Sequence, residues 1–341
     1  MQRMNTSAAV LVGCLVLGAC GGTASQLPRA TAMSPSGPRA DAATSTERAR
    51  SDLAPNERRT VGSWMLPEAK SEDLLYESDV SWASVYSYPQ GKMVGKLKNF
   101  YLAAGQCVDN AGNVYIADYG KSRVYTYSHG SSHRKRAIYV PGAADCAIDP
   151  TTGNLAVASW GGAGVWIFAN ARGKPSKFLD PDFIGYYSCG YDSTGDLYVD
   201  GISHVGSGHV VLAELPKGGS QLETVKIGQY LGWPAGVKWD GKYLAVGDGT
   251  TPVVYQFVIK GGSATRVGTT QFGSGLEYMH NFWIQTRTLL ASGQCYHRCY
   301  GVRSNQAVMF FDYPAGGTAT KLITAGIRAS AGDSVSLAPK S

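Results

Sequence analysis

Beyond Ser63 the chain alternates hydrophobic and polar residues in short runs broken by Gly, Pro, Asn and Asp, which predicts strands and tight turns. One run recurs: Leu75-Tyr76-Glu77-Ser78-Asp79, Val114-Tyr115-Ile116-Ala117-Asp118, Leu155-Ala156-Val157-Ala158-Ser159, Leu197-Tyr198-Val199-Asp200-Gly201, Leu244-Ala245-Val246-Gly247-Asp248 and, more weakly, Leu289-Leu290-Ala291-Ser292-Gly293. Its second residues, from Tyr76 to Leu290, are separated by 39, 41, 42, 47 and 45 positions. A period of about 43 residues, met six times, fits one four-stranded propeller blade per unit.

Each unit carries further matching parts. Ahead of the recurring strand lie Asx and Gly turns such as Asp109-Asn110-Ala111-Gly112-Asn113 and Asp192-Ser193-Thr194-Gly195-Asp196, where Gly accepts positive φ and Asp bonds the local backbone. After it comes a third strand of period two, exemplified by Val85-Tyr86-Ser87-Tyr88, Val124-Tyr125-Thr126-Tyr127 and Val165-Trp166-Ile167-Phe168. A turn then repeats as Tyr88-Pro89-Gln90-Gly91, Leu215-Pro216-Lys217-Gly218 and Tyr313-Pro314-Ala315-Gly316. The first unit has no strand before Leu74, while Ser334 to Ala338 is a strand with no unit of its own. The chain is therefore expected to be all-β, a six-bladed β-propeller whose C-terminal strand becomes the inner strand of the first blade and removes an open edge.

Composition supports this and narrows the partners. Of 341 residues only 16% are charged, while 43 are Gly and 20 Tyr, which disfavours an all-helical fold. The net charge of +6 divides unevenly, leaving 24 basic and 21 acidic residues from position 63 onward, so nucleic acid is not an expected partner. The one basic run, His133-Arg134-Lys135-Arg136, fits a solvated outer hairpin better than a phosphate-binding patch.

The N-terminus reads as a processing signal: Arg3, an apolar stretch from Ala8 to Leu17, then Leu17-Gly18-Ala19-Cys20. These residues resemble a bacterial lipobox, and the resemblance implies that Cys20 becomes the new N-terminus and carries lipid. Residues 1–19 are then a lipoprotein signal peptide. Residues 20–62 are the lipidated Cys and a disordered tether, too poor in large apolar side chains to offset chain entropy. Residues 63–341 are the propeller. The expected location is the bacterial cell envelope, anchored by lipid and outside the cytoplasm, with the protein a monomer.

Cys107-Val108-Asp109-Asn110-Ala111-Gly112-Asn113-Val114-Tyr115-Ile116-Ala117-Asp118, with Arg123-Val124-Tyr125-Thr126-Tyr127, resembles an NHL repeat. The chain from 74 to 338 is similar to six-bladed NHL and SMP-30/gluconolactonase-like propellers, and most of all to bacterial propeller lipoproteins with Tyr-Pro-x-Gly turns. That resemblance implies a shape and leaves the function open, since such propellers bind proteins or nucleic acids, sense, cleave or eliminate.

Candidate chemistry is sparse. Cys295 and Cys299, in an insertion of the last unit, suit a local disulfide. Gln106, Cys146 and Cys189 share one position on successive inner strands and are expected near the central channel. The thiols there fit either small apolar filling or a Cys146–Cys189 disulfide between neighbouring blades. Trp82, Tyr119, Trp160 and His204 follow the recurring strands of four consecutive units and could ring a mouth that grips sugars or peptide side chains, or could merely cover loops. The lyase relatives use a channel His, for which His280 is the candidate. The lactonase-like relatives hold a divalent cation, yet Asp145 and Asp182 come without a matching Glu/Asn motif. No Gly-x-Ser-x-Gly elbow, His-Glu-x-x-His or phosphate-gripping Gly-x-x-x-x-Gly-Lys-[Ser/Thr] motif occurs. No catalytic residue, metal or cofactor is therefore assigned. The expected function is a non-catalytic binding or scaffold module for a protein or carbohydrate; the alternative is a hydrolase or lyase working in the channel.

Overall fold

The structure is a computed structural model that describes residues 58–59, 62–203, 210–273, 275–295 and 306–339. The chain divides into two compact units, Met1–Ser51 and Asp52–Ser341, of which the first lies outside the described residues, together with Cys20.

The second unit is all-β. Two short strands, β1 (Arg58–Arg59) and β2 (Trp64–Met65), precede β3 (Leu74–Ser78), β4 (Trp82–Ser87) and β5 (Met93–Lys98). Then come β6 (Ala103–Val108), β7 (Val114–Asp118), β8 (Arg123–Tyr127) and β9 (His133–Tyr139), followed by β10 (Ala143–Ile148), β11 (Leu155–Ser159), β12 (Gly164–Phe168) and β13 (Ser176–Phe178). The next group is β14 (Phe183–Tyr191), β15 (Leu197–Ser203), β16 (Val210–Leu215) and β17 (Glu223–Ile227), and after it β18 (Pro234–Trp239), β19 (Leu244–Asp248), β20 (Val253–Lys260) and β21 (Ser263–Gln271). Last are β22 (Leu276–Gln285), β23 (Thr288–Cys295), β24 (Gln306–Asp312), β25 (Gly316–Ile323) and β26 (Gly332–Ser336). Helix is limited, among the described residues, to two short 3-10 turns, Pro67–Lys70 and Ala169–Ala171.

These strands form antiparallel meanders in a propeller-like arrangement. Four sheets hold four or five strands each, and a fifth holds eight because β17 and β21, the outer strands of the fourth and fifth meanders, pair in parallel. The expected closure is present: β26 pairs antiparallel with β3, Val335 opposite Leu75 and Asp333 opposite Glu77. Each inner strand packs on the next in the order β6, β10, β14, β18, β22 and β26, and β26 packs on β6. β1 falls inside the segment expected to be tether and pairs with the outer strand β9, while β2 covers the outer edge of β5.

The recurring strands are buried on both faces, which is why they read as near-continuous apolar runs rather than clean alternation. Their two faces feed different cores. Tyr76 and Ala83 pack with Ile116 and Tyr125 in the seam between the first and second meanders. Leu75, Tyr86 and Val335 pack instead with Leu290, Val308 and Phe310 in the seam between the last and the first. The basic run forms most of β9 and lays its arms on the protein: Arg134 over the Tyr125 ring at 3.6 Å, Lys135 on Asn113 and Arg136 on the Ala171 carbonyl.

Five inner strands carry register shifts against their partners: β6, β10, β14, β18 and β22. A bulge adds one residue to a strand and re-aims the side chains around it. The axis of the ring is furnished by these re-aimed residues.

Candidate ligand-binding site

At the end of the ring where the inner strands begin, three aromatic side chains meet. Trp160, in the link after β11, stands edge-on to Tyr187, with centroids 5.9 Å apart at 83°, and lies 6.1 Å from Trp233 at 37°. Its indole rests on Gly185 of β14, where an added Cβ would come within 3.1 Å of the ring, so the glycine makes the seat. Tyr187 occupies the β14 bulge and donates its hydroxyl to the His280 carbonyl at 2.9 Å. His280 sits in the β22 bulge beside Tyr278, 4.8 Å away and edge-on. All five rings are half-buried, with one part packed and another open.

Electrostatics keep this mouth neutral. Burial pushes the His280 imidazole down to about 4, so at neutral pH it is uncharged. Burial, with the Asp248 carboxylate nearby, pushes the Tyr278 phenol up. Asp248 itself is spent on the loops, accepting the backbone N–H groups of Gly232 and Thr250 and the Thr250 hydroxyl. Asp118 and Asp79 play the same part elsewhere, binding the N–H groups of Tyr101 and Lys121 and of Val80 and Arg328. The acid that ends the recurring strand thus fastens neighbouring loops.

Farther along the axis the ring is bridged. Lys238 of β18, partly buried, reaches the buried Asp145 of β10 at 3.1 Å. The Ser188 hydroxyl donates to Asp145 at 2.5 Å and accepts the Val237 N–H at 3.2 Å. Asp200 takes the N–H groups of Ser188 and Gly236, while burial raises its carboxyl to about 7. Beyond this bridge lies a cavity of about 150 Å³ lined by Lys238, Trp239, Trp283, Tyr191 and the inner-strand cysteines.

The sequence-predicted residues fare differently. Trp160 and His280 are brought to the mouth. Trp82 is not: its indole N–H donates to the Gly326 carbonyl at 3.2 Å, and Lys96 and Arg328 lie against the ring at 4.2 and 4.7 Å. Cations already lie against the Trp82 ring, and no ring contact joins it to Trp160 among the described residues. Tyr119 is half-buried and makes no ring contact among the described residues; His204 lies outside them.

The inner-strand trio is buried between meanders, with Cys146 and Cys189 bordering the axial cavity. The Gln106 amide donates to the Ser78 hydroxyl at 2.7 Å and accepts from Ser334 at 2.9 Å. Cys146 is bonded to Cys107, with Cα atoms 5.5 Å apart, and not to Cys189. The cause is strand alternation: Cys107, one residue further along β6, projects forward to the next meander, whereas Cys146 and Cys189 both project backward and cannot face each other. Cys189 remains a free thiol 3.9 Å from the Ala156 carbonyl, and burial pushes its ionisation up, so it is no nucleophile. Cys295 is disulfide-bonded, while Cys299 lies outside the described residues. Asp145 is committed to Lys238. Asp182 lies near the outer strand β17, 3.4 Å from the Thr224 hydroxyl, so the two do not converge.

Tyr187, Trp233 and Tyr278 were not singled out from the sequence. The available signals were slight: the doubled Tyr186-Tyr187 and the Gly232-Trp233-Pro234 link. Bulges shift the inward and outward order, so alternation alone could not aim these rings.

No protein-family model and no curated protein matches the chain. Among solved structures it is similar to a chain of the nidogen/laminin complex, at 13% identity and TM-score 0.61, covering 78% of this chain and 99% of that one. A protein of unknown function from Bacteroides caccae is similar at 14% identity and TM-score 0.60, with the same coverage. The Swd1 β-propeller domain of Myceliophteria thermophila follows at 10% identity and TM-score 0.53, covering 80% and 89%. The fold is a β-propeller. At these identities the likeness extends to the fold alone.

Proposed function

We propose that this chain is a six-bladed propeller of the NHL/SMP-30 type, lipid-anchored through Cys20 in the bacterial envelope, that works as a non-catalytic binding module. The six meanders with their ring of inner strands support the blade count, and the repeat around residues 107–127 supports the NHL assignment. The observation that carries the binding role is the cluster of Trp160, Tyr187 and Trp233 at one end of the axis, half-open and uncharged, as suits stacking on a sugar or an apolar peptide side chain. Nidogen's propeller was solved in complex with laminin, another case in which this fold serves recognition.

The test is a glycan and peptide array probed with the full chain, followed by Trp160→Ala and Trp233→Ala on any hit. Each ring face covered by a ligand contributes on the order of 1–2 kcal/mol, so each variant should weaken binding roughly ten-fold with the melt unchanged. Unchanged affinity in both variants would move the site elsewhere. A second possibility, a lyase or hydrolase, draws on one observation: His280 is a neutral imidazole in the mouth beside a tyrosine. Turnover abolished by His280→Ala would favour it.

A further inference from the structure

The seam between the last and first meanders differs from the other five in one register row. Across inner, second and third strands, the other meanders carry Gln106, Ile116 and Tyr125; Cys146, Val157 and Trp166; Cys189, Val199 and Ala213; Val237, Val246 and Tyr255; Phe282, Ala291 and Met309. In the first meander the same row reads Asp333, Glu77 and Ser84. Strand alternation puts these three on the face that carries Val335, Leu75 and Tyr86, which packs against the last meander. From the opposite wall come Ser292, on the Leu290 side of β23, and Ser330, in the link into β26.

All five residues are at most 1% exposed. No hydrogen bond of good geometry reaches the four carboxylate oxygens or the hydroxyls of Ser84, Ser292 and Ser330, although Ser330 faces Glu77, Ser292 faces Asp333 and Ser84 faces Tyr86. The nearby ammonium groups are engaged elsewhere, Lys238 on Asp145 at 3.1 Å and Lys96 over Trp82 at 4.2 Å. Like charges directly opposite on neighbouring strands repel, and buried carboxylates need a partner. By contrast Gln106, in the equivalent place one seam away, is fully satisfied by Ser78, Ser334 and Gly332.

We propose that this row is a divalent-cation site at the closing seam, with the Glu77 and Asp333 carboxylates as charged ligands and the Ser84, Ser292 and Ser330 hydroxyls as neutral ones. Two carboxylates balance a charge of +2, and an all-oxygen set suits Ca²⁺ or Mg²⁺ rather than zinc, which favours nitrogen and sulfur. The set contains only two acidic side chains; no group of three or more His, Cys, Asp and Glu suited to a metal occurs among the described residues. Because its ligands come from both walls, the ion would tie β23 and the final link to β3, β4 and β26. Its role is to hold the ring shut, independent of any ligand at the mouth.

The test is to unfold the full chain, refold it in EDTA, and dialyse it to equilibrium against Ca²⁺ or Mg²⁺. One ion per chain is expected, with Tm raised by about 5 °C at hundred-fold excess over Kd. Glu77→Gln and Asp333→Asn keep the shape and remove one charge each, so affinity should fall on the order of 100-fold in either, while Asp182→Asn leaves it unchanged. Wild type that takes up neither ion and melts alike in EDTA and Ca²⁺ overturns the proposal; a carboxyl pair sustained by protons would behave so, and the amide variants would then gain stability. Uptake that survives the double variant Glu77→Gln/Asp333→Asn overturns it equally. Should the variants not fold, elemental analysis of purified wild type decides, with absence of both metals counting against the site.

Discussion

Deleting residues 333–341 removes β26 from β3 and should abolish cooperative folding. The loss can be estimated contact by contact. The ladder to β3 disappears, and with it the bonds from Ser334 to Gln106 (2.9 Å), from Ser336 to the Gly112 carbonyl and His129 (2.7 Å each) and from Ala338 to Asp73 (2.7 Å). At about 1 kcal/mol net for each hydrogen bond these amount to roughly 8 kcal/mol. Val335, buried to 3%, adds about 2 kcal/mol of apolar burial. The buried Gln106 Oε1 would also be left without its donor. A total of roughly 10 kcal/mol matches the whole stability of an ordinary domain, so the ring should open rather than fray. Urea denaturation followed by tryptophan fluorescence is the assay. The control is deletion of 21–57, which spares β1 and should barely move the midpoint. A cooperative transition in the C-terminal deletion with a midpoint equal to wild type would refute the closure reasoning.

Cys20→Ala should release the protein from membranes, and retention in the membrane fraction after a high-salt wash would show that something other than lipid holds it. Lys238→Met leaves Asp145 buried without its cation and should cost about 3–5 kcal/mol, while Asp145→Leu/Lys238→Met should recover most of that loss; equal midpoints for the single variant and wild type would mean the bridge is idle. Asp200 titrates near 7 in the fold and near 4 unfolded, so the unfolded chain releases its proton first and stability contributed by this group falls as pH rises from about 4 through 7. Asp200→Asn should flatten that decline in urea midpoints, and an unaltered slope would show that the group does not govern it.

The strands were legible because a propeller repeats one local solution, and both the recurring runs and the Asx-Gly turns survive in sequence. Val114–Asp118, Leu155–Ser159 and Leu244–Asp248 are strands with the expected ends. Site geometry was less accessible. A bulge inserts a residue without any required side chain, so Tyr187 and His280 gave no sign that they would share the axis. The disulfide depended on a one-residue phase difference between Cys107 and Cys146. The row of Asp333, Glu77 and Ser84 joins residues far apart in the chain, visible only once β26 is set in register against β3.

The ring is not evenly braced. A covalent bond joins the second and third meanders through Cys107 and Cys146, and a parallel ladder joins the fourth and fifth through β17 and β21. Between these two stiffened pairs lies the seam of the third and fourth meanders, held by side-chain packing and crossed by the Ser188–Asp145, Lys238–Asp145 and Lys217–Thr151 bonds. Trp160 and Tyr187 stand on the two lips of that seam. Opening that seam by a fraction of a ring width would respace the pair of aromatics, and the mouth would then act as a caliper with one jaw on each meander. Amide exchange that is faster along β13 and the start of β14 than along β17 and β21 is the expected signature.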